Sequence, residues 1–86
     1  MSDSARELEK RLVYKEYLDA LKKLTPREIQ ILKYVALNFT NEEIGKELCR
    51  SPYTIKKHRQ NICNKLALKG KGALYEWCVN YSIYNE

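Results

Sequence analysis

The sequence predicts an all-α protein: a four-helix domain preceded by one additional N-terminal helix. Three observations predict it. Helix-start signatures recur along the chain, in LTPRE, FTNEEI and SPYT. The residues that break helices are scarce, with 3 Gly and 2 Pro in 86 residues. No segment alternates apolar and polar residues with the period of two that a half-buried strand needs.

Each element has its own justification. Residues 1–24 mix charges of both signs around a rough apolar stripe of Leu8, Leu12, Leu18 or Tyr17, and Leu21, which reads as a charged amphipathic helix. Such a helix can cover the domain, pair with a partner helix, or link to a further domain. The next helix, near 26–38, opens at LTPRE. There Thr25 caps, Pro26 takes the first helical position, Glu28 completes a capping box, and Leu24 and Ile29 stand where a hydrophobic staple forms. FTNEEI repeats this pattern with Thr40 as cap, Glu43 closing the box and Phe39 stapled to Ile44, giving a helix near 41–49. SPYT starts a helix near 52–67, with Ser51 as cap and Pro52 first. After the breaker run LKGKG, a last helix is expected from about Gly72 to Ile83, with Leu74, Cys78 and Tyr81 on one inward stripe. The link Cys49-Arg50-Ser51 has the length of a helix-turn-helix connection.

Composition narrows the function classes. Eighty-six residues, 44% hydrophobic and 31% charged, suit one soluble globular domain. A domain of this size buries about 60% of its unfolded surface, leaving no room for a catalytic cleft with its own scaffold. No apolar run approaches the length of a membrane span, and MSDSARELEK has no signal-peptide character. The expected location is the cytoplasm, with no membrane partner. Cys49, Cys63 and Cys78 form no C-x-x-C pair, and the one His, His58, is not paired with a second ligand. Neither a zinc site nor a disulfide framework is expected, and the cysteines read as reduced, mostly buried small residues. No paired carboxylates, no nucleophile with its base and no phosphate-cradling Gly loop is visible. No catalytic residue, metal or cofactor is assigned, and the chain reads as a non-enzyme.

Charge locates the function. Seven of the 16 Lys and Arg lie between Arg50 and Lys71, and none of the 11 Asp and Glu does. The net charge of +5 is therefore +7 in this window against −2 elsewhere, where nine bases meet eleven acids. Advancing about 100° per residue along helix 52–67 puts Ile55, Ile62 and Leu66 on a buried stripe, with His58 and Arg59 at its edges. Tyr53, Lys56, Lys57, Gln60, Asn61 and Asn64 share the opposite face. Solvated faces ordinarily mix signs, because acids three or four residues away relieve repulsion. Here no acid does, and Lys56 and Lys57 stand in the first turn, where the helix dipole disfavours cations. A polyanion accounts for that cost. Lys neutralises phosphates, and Lys, Gln and Asn suit base edges in the major groove.

The run LTPREIQILKYVALNFTNEEIGKELCRSPYTIKKHRQNICNKL resembles the LuxR-type helix-turn-helix, the output domain of many bacterial response regulators and quorum-sensing regulators. Its markers are LTPRE, T-N-x-E-I, S-x-x-T-I-K-x-H and a closing K-L, and the match runs from Leu24 to about Cys78. The resemblance implies residues 1–24 as a helical extension or linker and residues 25–86 as a LuxR-type helix-turn-helix domain. It implies helix 52–67 in the major groove of double-stranded DNA, with Lys56, Lys57 and Gln60 reading bases and Tyr53 and Asn61 beside them. Thr40, Asn41, Ser51, Thr54 and Lys65 are the implied phosphate contacts. Arg59, at the edge of the cationic face, is assigned to the same set. The fourth helix is the implied homodimer contact, assigned to its aromatic and apolar residues Tyr75, Trp77, Val79 and Tyr84, with ordinary packing of these residues against the N-terminal helix as the alternative. RNA polymerase is a further expected partner.

Some residues depart from the family pattern. Gly45 stands where Ala is usual, meeting the need for a small side chain at a cost to the helix of up to about 1 kcal/mol. Ala67 replaces a helix-ending Gly, so the left-handed cap is expected to shift to Gly70. Lys71 replaces a common Arg, and Cys78 a common Ala. His58 reads as a semi-buried packing or phosphate-orienting residue. Two rival readings remain at this level. One is a helical protein-interaction or dimerisation module without DNA binding. The other is a promoter-binding domain like region four of sigma factors.

Overall fold

The computed structural model describes residues 3–82, with side chains described for residues 11–81. Five helices follow one another: α1 (Asp3–Leu21), α2 (Pro26–Ala36), α3 (Asn41–Leu48), α4 (Pro52–Lys65) and α5 (Ala73–Ser82), with no strand among the described residues.

The helix starts form as the local chemistry dictates. Thr25 accepts from the Glu28 amide while the Glu28 side chain accepts from the Thr25 amide, and Thr40 and Glu43 repeat the same reciprocal pair. Ser51 accepts from the Thr54 amide at 3.2 Å, with Pro52 first in α4.

The ends lie one or two residues earlier than the periodic pattern suggested, because three non-glycine residues turn left-handed. Asn38 (φ 64°), Cys49 (φ 55°) and Ala67 (φ 55°) stop α2, α3 and α4. In each case the next amide reaches back five residues: Phe39 to the Tyr34 carbonyl, Arg50 to Gly45, and Leu68 to Cys63. The left-handed cap therefore does not shift to Gly70. Ala67 adopts it, at the steric cost of its Cβ, because the 2.9 Å bond from the Leu68 amide fixes the turn there. Gly70 (φ 102°) and Gly72 (φ 79°) serve the loop into α5 instead.

Every helix from α2 to α5 contributes to one core of Ile31, Leu32, Val35, Ile44, Ile55, Ile62, Leu74 and Cys78, with Leu24 sealing its edge. Ile31, Ile44, Ile55 and Ile62 are completely buried. α3 packs on α4, and both α4 and α5 pack on α2. The closeness of α3 to the turn before α4 depends on Gly45. A Cβ there would stand 2.5 Å from the Arg50 carbonyl oxygen. The position thus demands glycine in this chain, and Ala is excluded unless the turn shifts.

α1 reaches the domain mainly through α5. Tyr17 sits between Trp77 and Tyr81, at ring-centroid distances of 5.6 and 5.4 Å, and Tyr81 Oη donates to Glu16 Oε2 at 3.4 Å. Tyr17 and Leu21 face inward, whereas Leu12 and Leu18 of the expected stripe stay largely exposed. The Leu8 side chain lies outside the described residues. The cysteines also split. Cys78 is buried and Cys63 half-buried, but Cys49 is exposed, because the left-handed end of α3 turns its side chain to solvent. Burial pushes the Cys63 thiol up and the Cys78 thiol to about 11. Both stay thiols at neutral pH.

Candidate nucleic-acid interface

α4 is held at two completely buried isoleucines, Ile55 and Ile62, seven residues apart. Side chains half a turn away must therefore face outward. Tyr53, Lys56, Lys57, Gln60, Asn61 and Asn64 are all exposed, as the helical period predicts. His58, Arg59 and Thr54 are half-buried at the flanks of that face. No acid occupies the first turn of α4. The ammonium of Lys57 lies over the Tyr53 ring, 5.1 Å from its centroid.

A groove of about 300 Å³ runs beside this face, lined among others by Asn41 at the start of α3 and by Lys56, Arg59, Gln60 and Asn64 of α4. Arg59 and Asn41 thus share one surface with Lys56, Gln60 and Asn64. Asn41 Oδ1 is buried there without a hydrogen-bond partner. Thr40 and Ser51 stand at the starts of α3 and α4, where their side-chain oxygens are occupied as caps. Thr54 shares a hydroxyl contact with Ser51 at 3.0 Å.

Lys65 is placed differently from its neighbours. Its ammonium donates to Glu28 Oε1 at 2.6 Å, and Glu28 is itself buried. Burial pushes the Glu28 carboxyl up. The hydrogen bond and charge of Lys65 and the bonds from Thr25 outweigh it and hold the group below its ordinary value. Sequence reading found Lys65 but not this partner, because no local pattern signals an ion pair 37 residues apart.

The residues expected on a dimer surface divide between two flanks of α5. Trp77 turns to α1, packing on Tyr17 and on Tyr81, the latter at 4.6 Å. Tyr75 and Val79 lie on the other flank, exposed at 38% and 37%. Tyr84 lies outside the described residues. Two turns of a helix cannot present residues 75, 77 and 79 on one face, because 200° separates each from the next at about 100° per residue.

The comparisons with known proteins agree with this architecture. The family description "Bacterial regulatory proteins, luxR family" matches residues 22–78, from the end of α1 through the buried Cys78 of α5. The chain belongs to the LuxR family. Membership makes the chain a DNA-binding domain of the kind used in bacterial transcription regulation. The chain is also 38% identical over 65 residues to the oxygen regulatory protein NreC of Staphylococcus aureus, as found in strains JH9 and JH1. That match covers 76% of this chain and 30% of the relative, so the chain spans less than a third of the relatives' length. No solved structure matches it significantly. Among the described residues, no helix is long and apolar enough to cross a membrane.

Proposed function

We propose that this LuxR-family domain binds double-stranded DNA sequence-specifically as the output of a bacterial transcription regulator, with α4 in the major groove. The observation that carries the reading is the outward face of α4. Lys56, Lys57, Gln60 and Asn61 are exposed together without an acid, on a helix pinned by Ile55 and Ile62. Lys56, Lys57 and Gln60 meet base edges, flanked by Tyr53 and Asn61, because these side chains supply the donors and acceptors that the major groove distinguishes.

Phosphates on either side are met from the helix starts and the groove walls. Thr40, Asn41, Ser51 and Thr54 stand where first-turn amides and the positive end of the helix dipole favour an anion. Arg59 extends the cationic wall. Lys65, with three N–H donors, serves Glu28 and a phosphate oxygen together.

Two copies meet through the Tyr75–Val79 flank of α5, leaving Trp77 to α1. A dimer of this kind reads two half-sites about one helical turn apart. Regulation then works in the cytoplasm, through RNA polymerase. Residues 1–24 act as the extension or linker through which α1 joins the domain at 25–86.

The test is a double substitution, Lys56→Ala with Lys57→Ala. The expected result is an intact helical fold with specific binding lost in a gel-shift assay, using a duplex selected from a random pool. Wild-type binding by the double variant would show that another face meets DNA. Binding that ignored ionic strength would favour a protein-interaction module instead, because phosphate contacts weaken as salt rises.

A further inference from the structure

Resting on the reading of α4 as the base-contacting helix, we infer that Tyr53 is a positioning residue for Lys57. Its ring face holds the Lys57 ammonium at the start of the recognition helix, in the place from which it meets DNA. The ammonium stands 5.1 Å from the ring centroid, within reach of a cation–π attraction. Tyr53 is 65% exposed, so its ring serves the core little.

The site explains why an aromatic belongs there. Lys57 projects toward the N-terminal end of α4, because helical side chains lean that way. That end carries the positive pole of the helix dipole, which opposes an ammonium. No acid in the first turn offsets it. The negative face of the Tyr53 ring does, without introducing a charge that would repel phosphate. Among the described residues Lys57 alone of the two adjacent lysines lies over a ring. A lysine stem loses much rotamer freedom when its head is fixed in a complex. Lys57 has surrendered part of that freedom before DNA arrives. Tyr53 thus acts through Lys57 rather than through a base contact of its own.

The geometry also fixes the place of action. Residues near the start of a recognition helix are those that reach base edges. A ring at position 53 and an ammonium from position 57 meet there, one helical turn apart on the same face.

A double-mutant cycle tests this, using the full 86-residue chain and a duplex recovered by selection from a random pool. Tyr53→Phe keeps the ring and should bind as wild type. Tyr53→Leu keeps the bulk but not the ring face, and should weaken specific binding about three-fold, the size of an exposed cation–π contact. In a Lys57→Ala background, Tyr53→Leu should have no further effect. In the free protein, the Lys57 Hε protons should carry an upfield ring-current shift in NMR spectra. Tyr53→Phe should retain that shift and Tyr53→Leu should lose it.

An equal loss from Tyr53→Leu with and without Lys57 overturns the inference, because Tyr53 would then touch DNA itself. A loss from Tyr53→Phe as large as from Tyr53→Leu overturns it by assigning the effect to the hydroxyl. Lys57→Ala binding weakened while Tyr53→Leu binds normally overturns the positioning role alone. Lys57→Ala binding as wild type overturns the reading of α4 on which the inference rests.

Discussion

Lys65 Nζ and Glu28 Oε1 meet at 2.6 Å and tie the last turn of α4 to the first turn of α2. The same carboxylate oxygen accepts the Thr25 amide at 2.8 Å. One buried acid therefore completes a helix cap and anchors the helix that carries the cationic face. A shift of α2 and a shift of α4 are coupled through it.

Lys65→Met should destabilise the fold by about 2 kcal/mol, read from urea unfolding. Breaking a fully buried pair costs about 3–5 kcal/mol, and the 37% exposure of the Lys65 side chain reduces this through solvent screening. The pH dependence follows from the lowered Glu28 carboxyl. Its native value lies below the ordinary 4.5, so its contribution is fully present above pH 4.5 and is lost as pH falls through the native value. In Lys65→Met, burial acts without its main counterweight, and stability should fall less steeply with acid below pH 4.5. An unchanged acid limb would mean that Glu28 owes its ionisation to the cap alone.

Ala67→Gly should raise stability by about 1 kcal/mol. Ala67 holds a left-handed conformation (φ 55°) that only glycine adopts without a Cβ clash. The bonds that fix it there, Leu68 to Cys63 and Ala67 to Asn64, are made by the backbone and survive the substitution. Thermal unfolding should shift upward by several degrees, about the shift expected for a domain of this size. A lower melting temperature would show that the Ala67 methyl packs usefully.

What was legible in the sequence is local or periodic. The capping boxes at Thr25–Glu28 and Thr40–Glu43 are three-residue chemistry and form as read. The outward face of α4 follows from the period once Ile55 and Ile62 are inside. What was not legible depends on partners distant in sequence. The Glu28–Lys65 pair and the exposure of Leu12 are set by how helices are brought together. The left-handed ends at Cys49 and Ala67 were missed for another reason. The residue types there do not favour that conformation, and the backbone bonds from the Arg50 and Leu68 amides fix it.

Gly45 illustrates the same division. Helix propensity alone says Gly45→Ala should stabilise α3 by up to about 1 kcal/mol. The added Cβ, however, would stand 2.5 Å from the Arg50 carbonyl oxygen, a backbone atom that cannot rotate away. Overpacking of this kind typically costs about 1–3 kcal/mol. The expected outcome is a lower urea midpoint for Gly45→Ala, together with weaker DNA binding, because the turn that would move carries Ser51 and Pro52 into α4. A higher midpoint would mean that the α3–α4 turn relaxes at little cost.

Tyr17→Ala should release α1 from the domain while leaving the outward face of α4 intact. Tyr17 contributes ring contacts to both Trp77 and Tyr81, and such pairs are worth about 0.5–1.5 kcal/mol each beyond the area they bury. A loss of about 2 kcal/mol is therefore expected on urea unfolding. The chain has one tryptophan, so Trp77 reports the contact directly. Its emission should shift to the red in Tyr17→Ala as solvent reaches the indole. The Ile55 and Ile62 anchors of α4 are untouched by the change. DNA affinity should therefore stay close to wild type even as the emission moves. Concurrent loss of binding would instead make the α1–α5 contact part of what holds α4 in place.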